Sequence, residues 1–186
     1  MSADPEGKRA DFQVTALPLM DSVYSSALYL SRNPDDAADL LQETYLRAYR
    51  SWDQFTPGTN CKAWLLTILY NAFRNRYRAQ SREPATVEFD ESAHVSPADG
   101  RAASDDPAEL LAAQVLDGEV DAALKRLPAE FLEVVVLVDL QELTYEETAA
   151  AVGCPVGTVR SRLSRARRML HGILREYARE RGILRS

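Results

Sequence analysis

Residues 143–170 read LTYEETAAAVGCPVGTVRSRLSRARRML, and the fold follows from this stretch. Thr144 is placed to cap a helix, and Glu147 three positions on completes a capping box. Ala149 to Ala151 are small enough to let another helix cross closely. Gly153-Cys154-Pro155 breaks the chain, and a longer helix follows. Two helices joined by a short glycine-containing turn make a helix-turn-helix. On the second helix Val159, Leu163, Ala166, Leu170 and Ile173 recur at the spacing of an inward face. Arg160, Ser164, Arg167, His171 and Arg175 follow another row, with Ser161, Arg165 and Arg168 beside it. Arginine grips phosphates and makes bidentate contacts to guanine, and the first turns of such a helix are the ones that enter a major groove.

The same helical periodicity continues on both sides of this motif. Leu19, Val23, Ala27 and Leu30 predict a helix over 15–31, after a polar N-terminus (1–11) that is expected to be disordered. Asn33-Pro34-Asp35-Asp36 is a helix start, with a cap, a proline at the first helical position and two acids at the positive end of the dipole. That helix is expected to run to about Trp52, with Leu41, Tyr45, Ala48 and Trp52 on one face. A turn at 57–60 precedes a third helix, 61–80, with Trp64, Ile68, Ala72 and Asn75 in one row and Leu65, Leu69 and Phe73 beside it. Residues 81–106 hold Pro, Ser, Ala and acids without a period, which marks a flexible acidic linker spanning roughly 30 Å root-mean-square. A second domain opens at the Asp106-Pro107-Ala108-Glu109 cap, with helices expected over 107–126, 128–140, 145–151 and 155–178, followed by a tail, 179–186. The fold class is all-α: two small helical domains, 12–80 and 107–178, the second containing the helix-turn-helix.

The chain has 186 residues and a net charge of -6, and its charge is unevenly spread. Residues 62–82 carry five bases and no acid, 83–121 carry one base and eleven acids, and 153–186 carry nine arginines and two acids. Two basic islands around an acidic stretch suggest two separate polyanion contacts. Two cysteines and two histidines leave no disulfide framework and no His- or Cys-rich metal site. The start has no apolar core of signal-peptide length, and no apolar run approaches a membrane span, so the expectation is a cytoplasmic protein with no membrane insertion. Acid pairs such as Asp35-Asp36 and Glu146-Glu147 each fall in a first helical turn, where the helix dipole accounts for them. No glycine-rich phosphate loop or Ser/His/Asp set is visible, so no catalytic residue, metal or cofactor is assigned and an enzyme is not expected.

The other basic island lies on the 61–80 helix. Thr67, Asn71, Arg74 and Arg78 form one polar row, joined by Asn75. The preceding loop holds Phe55, Thr59, Asn60 and Lys62, with Trp52 and Trp64 on either side and Trp64 expected to be largely core. Amides, arginines and aromatics in one place suit single-stranded or unstacked bases.

With DDAADLLQETYLRAYR (35–50), FTPGTNCKAWLLTILYNAFRNRYR (55–78) and LPAEFLEVVVLVDLQELTYEETAAAVGCPVGTVRSRLSRARRML (127–170) in this order, the chain resembles the extracytoplasmic-function sigma factors of the sigma-70 family. These are promoter-specificity subunits of bacterial RNA polymerase. The resemblance implies that the 35–50 helix docks on core polymerase through Asp39, Leu40, Gln42 and Glu43. It implies that residues 55–78 open and read minus-ten DNA, through Phe55, Asn60, Lys62, Thr67, Asn71, Arg74, Asn75 and Arg78. It implies that the second domain reads minus-thirty-five duplex through Thr158, Arg160, Ser161, Arg162, Ser164, Arg165 and Arg168. The implied partners are core polymerase, promoter DNA and a cognate anti-sigma factor, with the chain monomeric when free. A rival reading is a helix-turn-helix regulator independent of polymerase; of the response-regulator type, it would need an α/β receiver where residues 12–80 read as helices only.

Overall fold

The structure, a computed structural model, describes residues 5–80 and 118–180. The expected linker over 81–106, the start of the 107–126 helix and the end of the tail lie outside the described residues. The described residues form helices α1 (Pro5–Thr15), α2 (Met20–Ser31), α3 (Pro34–Arg50) and α4 (Cys61–Gln80). A second lobe follows with α5 (Gly118–Lys125), α6 (Ala129–Val135), α7 (Tyr145–Val152) and α8 (Val156–Glu180). No strand occurs among them, as the periodicity predicts.

Local chemistry sets the boundaries. The Asn33 Oδ1 accepts from the N–H groups of Asp35 (2.9 Å) and Asp36 (3.3 Å), and Pro34 opens α3. Thr144 and Glu147 form the expected reciprocal capping box of α7. Gly153 ends α7 with φ 68, the left-handed conformation that glycine adopts without steric penalty. The expected 128–140 helix is α6 followed by a π-helical turn over Val136–Leu140.

Two expectations are corrected. Residues 5–11, expected to be disordered, belong to α1: Phe12 is 6% exposed and packs edge-on against Trp52 at 4.9 Å, and the Trp52 Nε1 donates to Asp11 at 2.9 Å. This helix is held by contacts far along the chain, which a polar composition does not register. Of the expected face of α3, Ala48 and Trp52 are buried, but Leu41 and Tyr45 are only partly so, and the fully buried row within the helix is Ala37, Leu40, Thr44 and Ala48.

α4 packs against α2 and α3 on one side and against α7 on the other. Its Leu65, Leu66, Leu69, Tyr70 and Ala72 are therefore all fully buried, a wider apolar face than packing within the first lobe alone needs. Leu137, Leu143, Ala151 and Val152 of the second lobe join the hydrophobic cluster of the first. At about 1.5–3 kcal/mol for each large side chain removed from water, this shared cluster is a substantial tie between the lobes.

Candidate nucleic-acid interface

On α8 the inward row is Val159, Leu163 and Ala166, at 0–2% exposure, with Leu170 packed against it. Their burial aims Arg160, Ser161, Ser164, Arg165 and Arg168 at solvent. The Arg160 guanidinium lies 5.5 Å from the centre of the Tyr145 ring at the start of α7. This cation–π contact limits the side chain's rotamers and holds it near the start of the helix. The Ser161 hydroxyl donates to the Thr158 carbonyl (3.0 Å), closing the first turn, and Thr158 is half-buried.

Two arginines of the sequence pattern have protein partners. Arg162 turns toward α6 and donates to Glu130 at 3.1 Å, so this member of the duplex-reading set points away from Arg160 and Arg165. Arg167 makes a two-pronged contact with Asp139 in the π-helical turn, which keeps its guanidinium charged above the ordinary range. An arginine-rich helix thus divides into a solvent face and a set of struts.

The second set of predicted residues surrounds the start and one face of α4. Asn60 caps the helix, its Oδ1 accepting from the Ala63 N–H at 3.2 Å, and its Nδ2 donates to Glu147 of α7 at 2.8 Å. Burial pushes the Glu147 carboxyl up, but hydrogen bonds from Thr144 and Asn60, helped by the Lys62 charge, outweigh it and hold the group below the ordinary glutamate range. The Arg74 guanidinium donates to the Ala151 carbonyl and lies against Gly153. Asn71 and Asn75 are exposed and Lys62 is half-buried, while the Thr67 hydroxyl donates back to the Ala63 carbonyl at 2.8 Å. Arg78 lies on α4, with its side chain outside the described residues.

Phe55 is placed differently from its expected role. It is 8% exposed, stacked on Trp52 with centroids 4.8 Å apart and tilted against Trp64 at 5.4 Å. Its ring supports the loop from beneath and offers no face to a base. Cys61 is also buried, and burial together with Asp11 pushes its thiol up to about 11, so it is not a thiolate at neutral pH.

On α3, Asp39 and Gln42 are exposed and Glu43 is partly so, but Leu40 is 2% exposed and belongs to the core. Leu40 therefore cannot offer its side chain to a partner. The exposed apolar residues of α3 are Leu46 and Tyr49, six and nine positions further on. Leu41, Leu46 and Tyr49, with Leu17 and Met20, wall an open apolar groove of about 620 Å³ that Asp39 and Gln42 also line. Leu46 is 53% exposed, an unusual place for leucine unless something covers it. Sequence reasoning missed this groove because the segment from α1 to α2 forms one wall. It also missed Arg76, which bridges α4 to Glu43 (2.9 Å) and Asp39 (3.9 Å).

Among the described residues no group of three or more His, Cys, Asp or Glu could hold a metal ion, and no helix is long and apolar enough to cross a membrane.

Comparison with known proteins agrees with this geometry. Residues 18–83 match the family model for sigma-70 region 2, and residues 117–170 match that for sigma-70 region 4. The chain is 41% identical over 161 residues to the ECF RNA polymerase sigma factor EcfG of Rhodopseudomonas palustris, covering 85% of this chain and 82% of that protein. It is 35% identical over 134 residues to the ECF RNA polymerase sigma-E factor of Escherichia coli K12, covering 71% of this chain and 70% of that one. Among solved structures it is similar to the sigma factor RpoE of Bartonella quintana in complex with the anti-sigma factor NepR, with a TM-score of 0.67, 35% identity, and coverage of 89% of this chain and 97% of that one. With both lobes matched in order and the relatives covered over most of their length, the chain belongs to the ECF family of RNA polymerase sigma factors.

Proposed function

We propose that three surfaces divide the work of promoter-specific transcription initiation. The α3 groove, with Asp39 and Gln42 beside it, docks on core polymerase. The α4 face with Asn60, Lys62, Asn71, Arg74 and Asn75 holds opened minus-ten DNA. The solvent face of α8, led by Arg160 and Arg165, reads minus-thirty-five duplex.

The observation that carries this reading over a polymerase-independent regulator is the exposed groove. A protein that only binds duplex has no need of Leu46 and Tyr49 in water, whereas a helical partner laid into the groove buries them. The DNA surfaces are also matched to their substrates. Opening a duplex costs a few kcal/mol per base unstacked, and amides and cations around α4 recover part of that on single strands. The α8 arginines meet intact duplex, where each bidentate base contact discriminates by about 1–3 kcal/mol. An acidic chain binds free DNA weakly, because non-specific affinity follows phosphate neutralisation, so polymerase supplies the remaining attraction.

The protein acts in the cytoplasm as a monomer when free, carries no catalytic residue of its own, and is regulated by a cognate anti-sigma factor. The NepR-bound relative supports that last partner. Purified core polymerase, this chain and a promoter selected with the pair test the reading: run-off transcript appears only when both proteins are present. Promoter binding by the chain alone, with no core-dependent initiation, favours the regulator.

A further inference from the structure

Asp39, Glu43 and Arg47 stand in one row on α3, each about a helical turn from the next. Asp39 lines the apolar groove, and Glu43 lies one turn along. Two carboxylates at this spacing repel each other, which swings their side chains apart. The charge that holds them together comes from the neighbouring helix. The Arg76 Nε on α4 donates to the Glu43 Oε2 at 2.9 Å, and its Nη1 lies 3.9 Å from the Asp39 Oδ2. Arg47 donates to the other oxygen of Glu43, Oε1. Glu43 is thus fixed from two sides at 26% side-chain exposure, while Asp39 keeps 68% of its side chain in water. A carboxylate has about four lone-pair sites, so Glu43 with two donors still has room for a third.

The fork of Arg76 matters as well as its charge. A guanidinium is planar and presents its donors in a fixed arrangement, so it can face two acceptors at once, whereas a lysine ammonium acts as a point charge on a flexible stem. An ion pair within one exposed helix face is weak, so Arg47 alone would leave Glu43 free to rotate.

We propose that Arg76 is a positioning residue of the polymerase-docking surface: from α4 it bridges Asp39 and Glu43 and holds both carboxylates beside the α3 groove for a cation on the partner. The proposal rests on the sigma-factor reading and adds the chemistry of the segment that docks, a helix with an apolar stripe for Leu46 and Tyr49 and a basic residue for Asp39 and Glu43. Charge alone makes the opposite prediction. Removing a cation from a face that attracts a base strengthens docking, whereas losing a positioning residue weakens it.

The test measures binding of core polymerase to the full chain carrying Arg76→Ala, Arg76→Lys, Glu43→Ala or both alanines, in competition with a fluorescein-labelled wild-type chain across a salt series. Arg76→Ala should bind about three- to tenfold more weakly and with a flatter salt dependence, and Arg76→Lys should recover part of the loss. In the Glu43→Ala background Arg76→Ala should cost less than about twofold, because the two residues act through one link. Melting temperature should hardly move, since the bridge is partly exposed. Equal or tighter binding by Arg76→Ala overturns the proposal, the tighter case making Arg76 a competitor of the partner's cation. An undiminished loss in the Glu43→Ala background also overturns it, because Arg76 would then touch polymerase itself. If Arg76→Ala loses helicity, Arg76→Met, which keeps an apolar stem without the charge, decides in the same way. Failure of the labelled wild-type chain to bind core at all overturns the sigma-factor reading instead, so the two failures are distinct.

Discussion

Arg160 and Arg162 lie two residues apart on α8, yet the structure gives them opposite consequences on removal. Arg160 is exposed, braced on the Tyr145 ring and near the end of the helix proposed to enter the major groove. Removing a bidentate base contact costs about 1–3 kcal/mol, a 5- to 150-fold loss on the proper upstream element, and much less on a scrambled one. Arg162 is engaged by Glu130, so Arg162→Ala removes a partly exposed ion pair worth about 0–1 kcal/mol of stability and leaves sequence discrimination alone. Arg175, exposed about four turns along the helix, contributes general attraction. Arg175→Ala weakens both DNAs equally and, if the side chain meets a phosphate, lowers the salt slope by about one. The assay is holoenzyme binding to proper and scrambled upstream sequences across a salt series. If Arg160→Ala and Arg175→Ala lose affinity alike on the two sequences, α8 is only a basic surface and the reasoning fails.

Leu46→Arg should abolish co-purification with core polymerase at unchanged helicity, whereas Leu40→Ala should lower stability by about 2–5 kcal/mol in a denaturant titration, since Leu40 is core. Phe55→Ala should likewise destabilise the chain by about 3–5 kcal/mol, so its transcription defect should track unfolding and ease on cooling; a defect with stability unchanged returns Phe55 to the DNA set. Glu147 has a folded pKa held below its unfolded value, so its contribution is present above the unfolded pKa and is lost as pH falls through the folded one. Glu147→Gln should therefore flatten the fall of melting temperature on the acid side of pH 4.5, and an unchanged acid limb would remove Glu147 from that account.

Much of the fold was legible because its signals are local. Asn33, the Thr144 and Glu147 box and Gly153 act over one turn of chain, and each marks its boundary where the structure has it. Side-chain direction was less legible. Choosing between Leu40 and Leu41 as the core residue of α3 needs the position of α4, and one step along a helix is a rotation of about 100°. Phe55 reads equally as a stacking platform or a wedge until Trp52 and Trp64 close around it. Arg162 and Arg167 look like ligand cations until Glu130 and Asp139 arrive from α6 and the turn after it. The groove and the lobe contact were invisible for the same reason, since Leu17 and Leu46 come to line one groove and Asn60 meets Glu147 only through the tertiary fold.

The measurement that bears most directly on the account is run-off transcription by core polymerase reconstituted with wild-type, Leu46→Arg and Arg160→Ala chains on one promoter. The account predicts transcript with the wild type, none with Leu46→Arg at any upstream sequence, and with Arg160→Ala a loss confined to templates that keep the proper upstream element. Transcript from Leu46→Arg at the wild-type level would contradict it, because polymerase would then be docking somewhere other than the α3 groove.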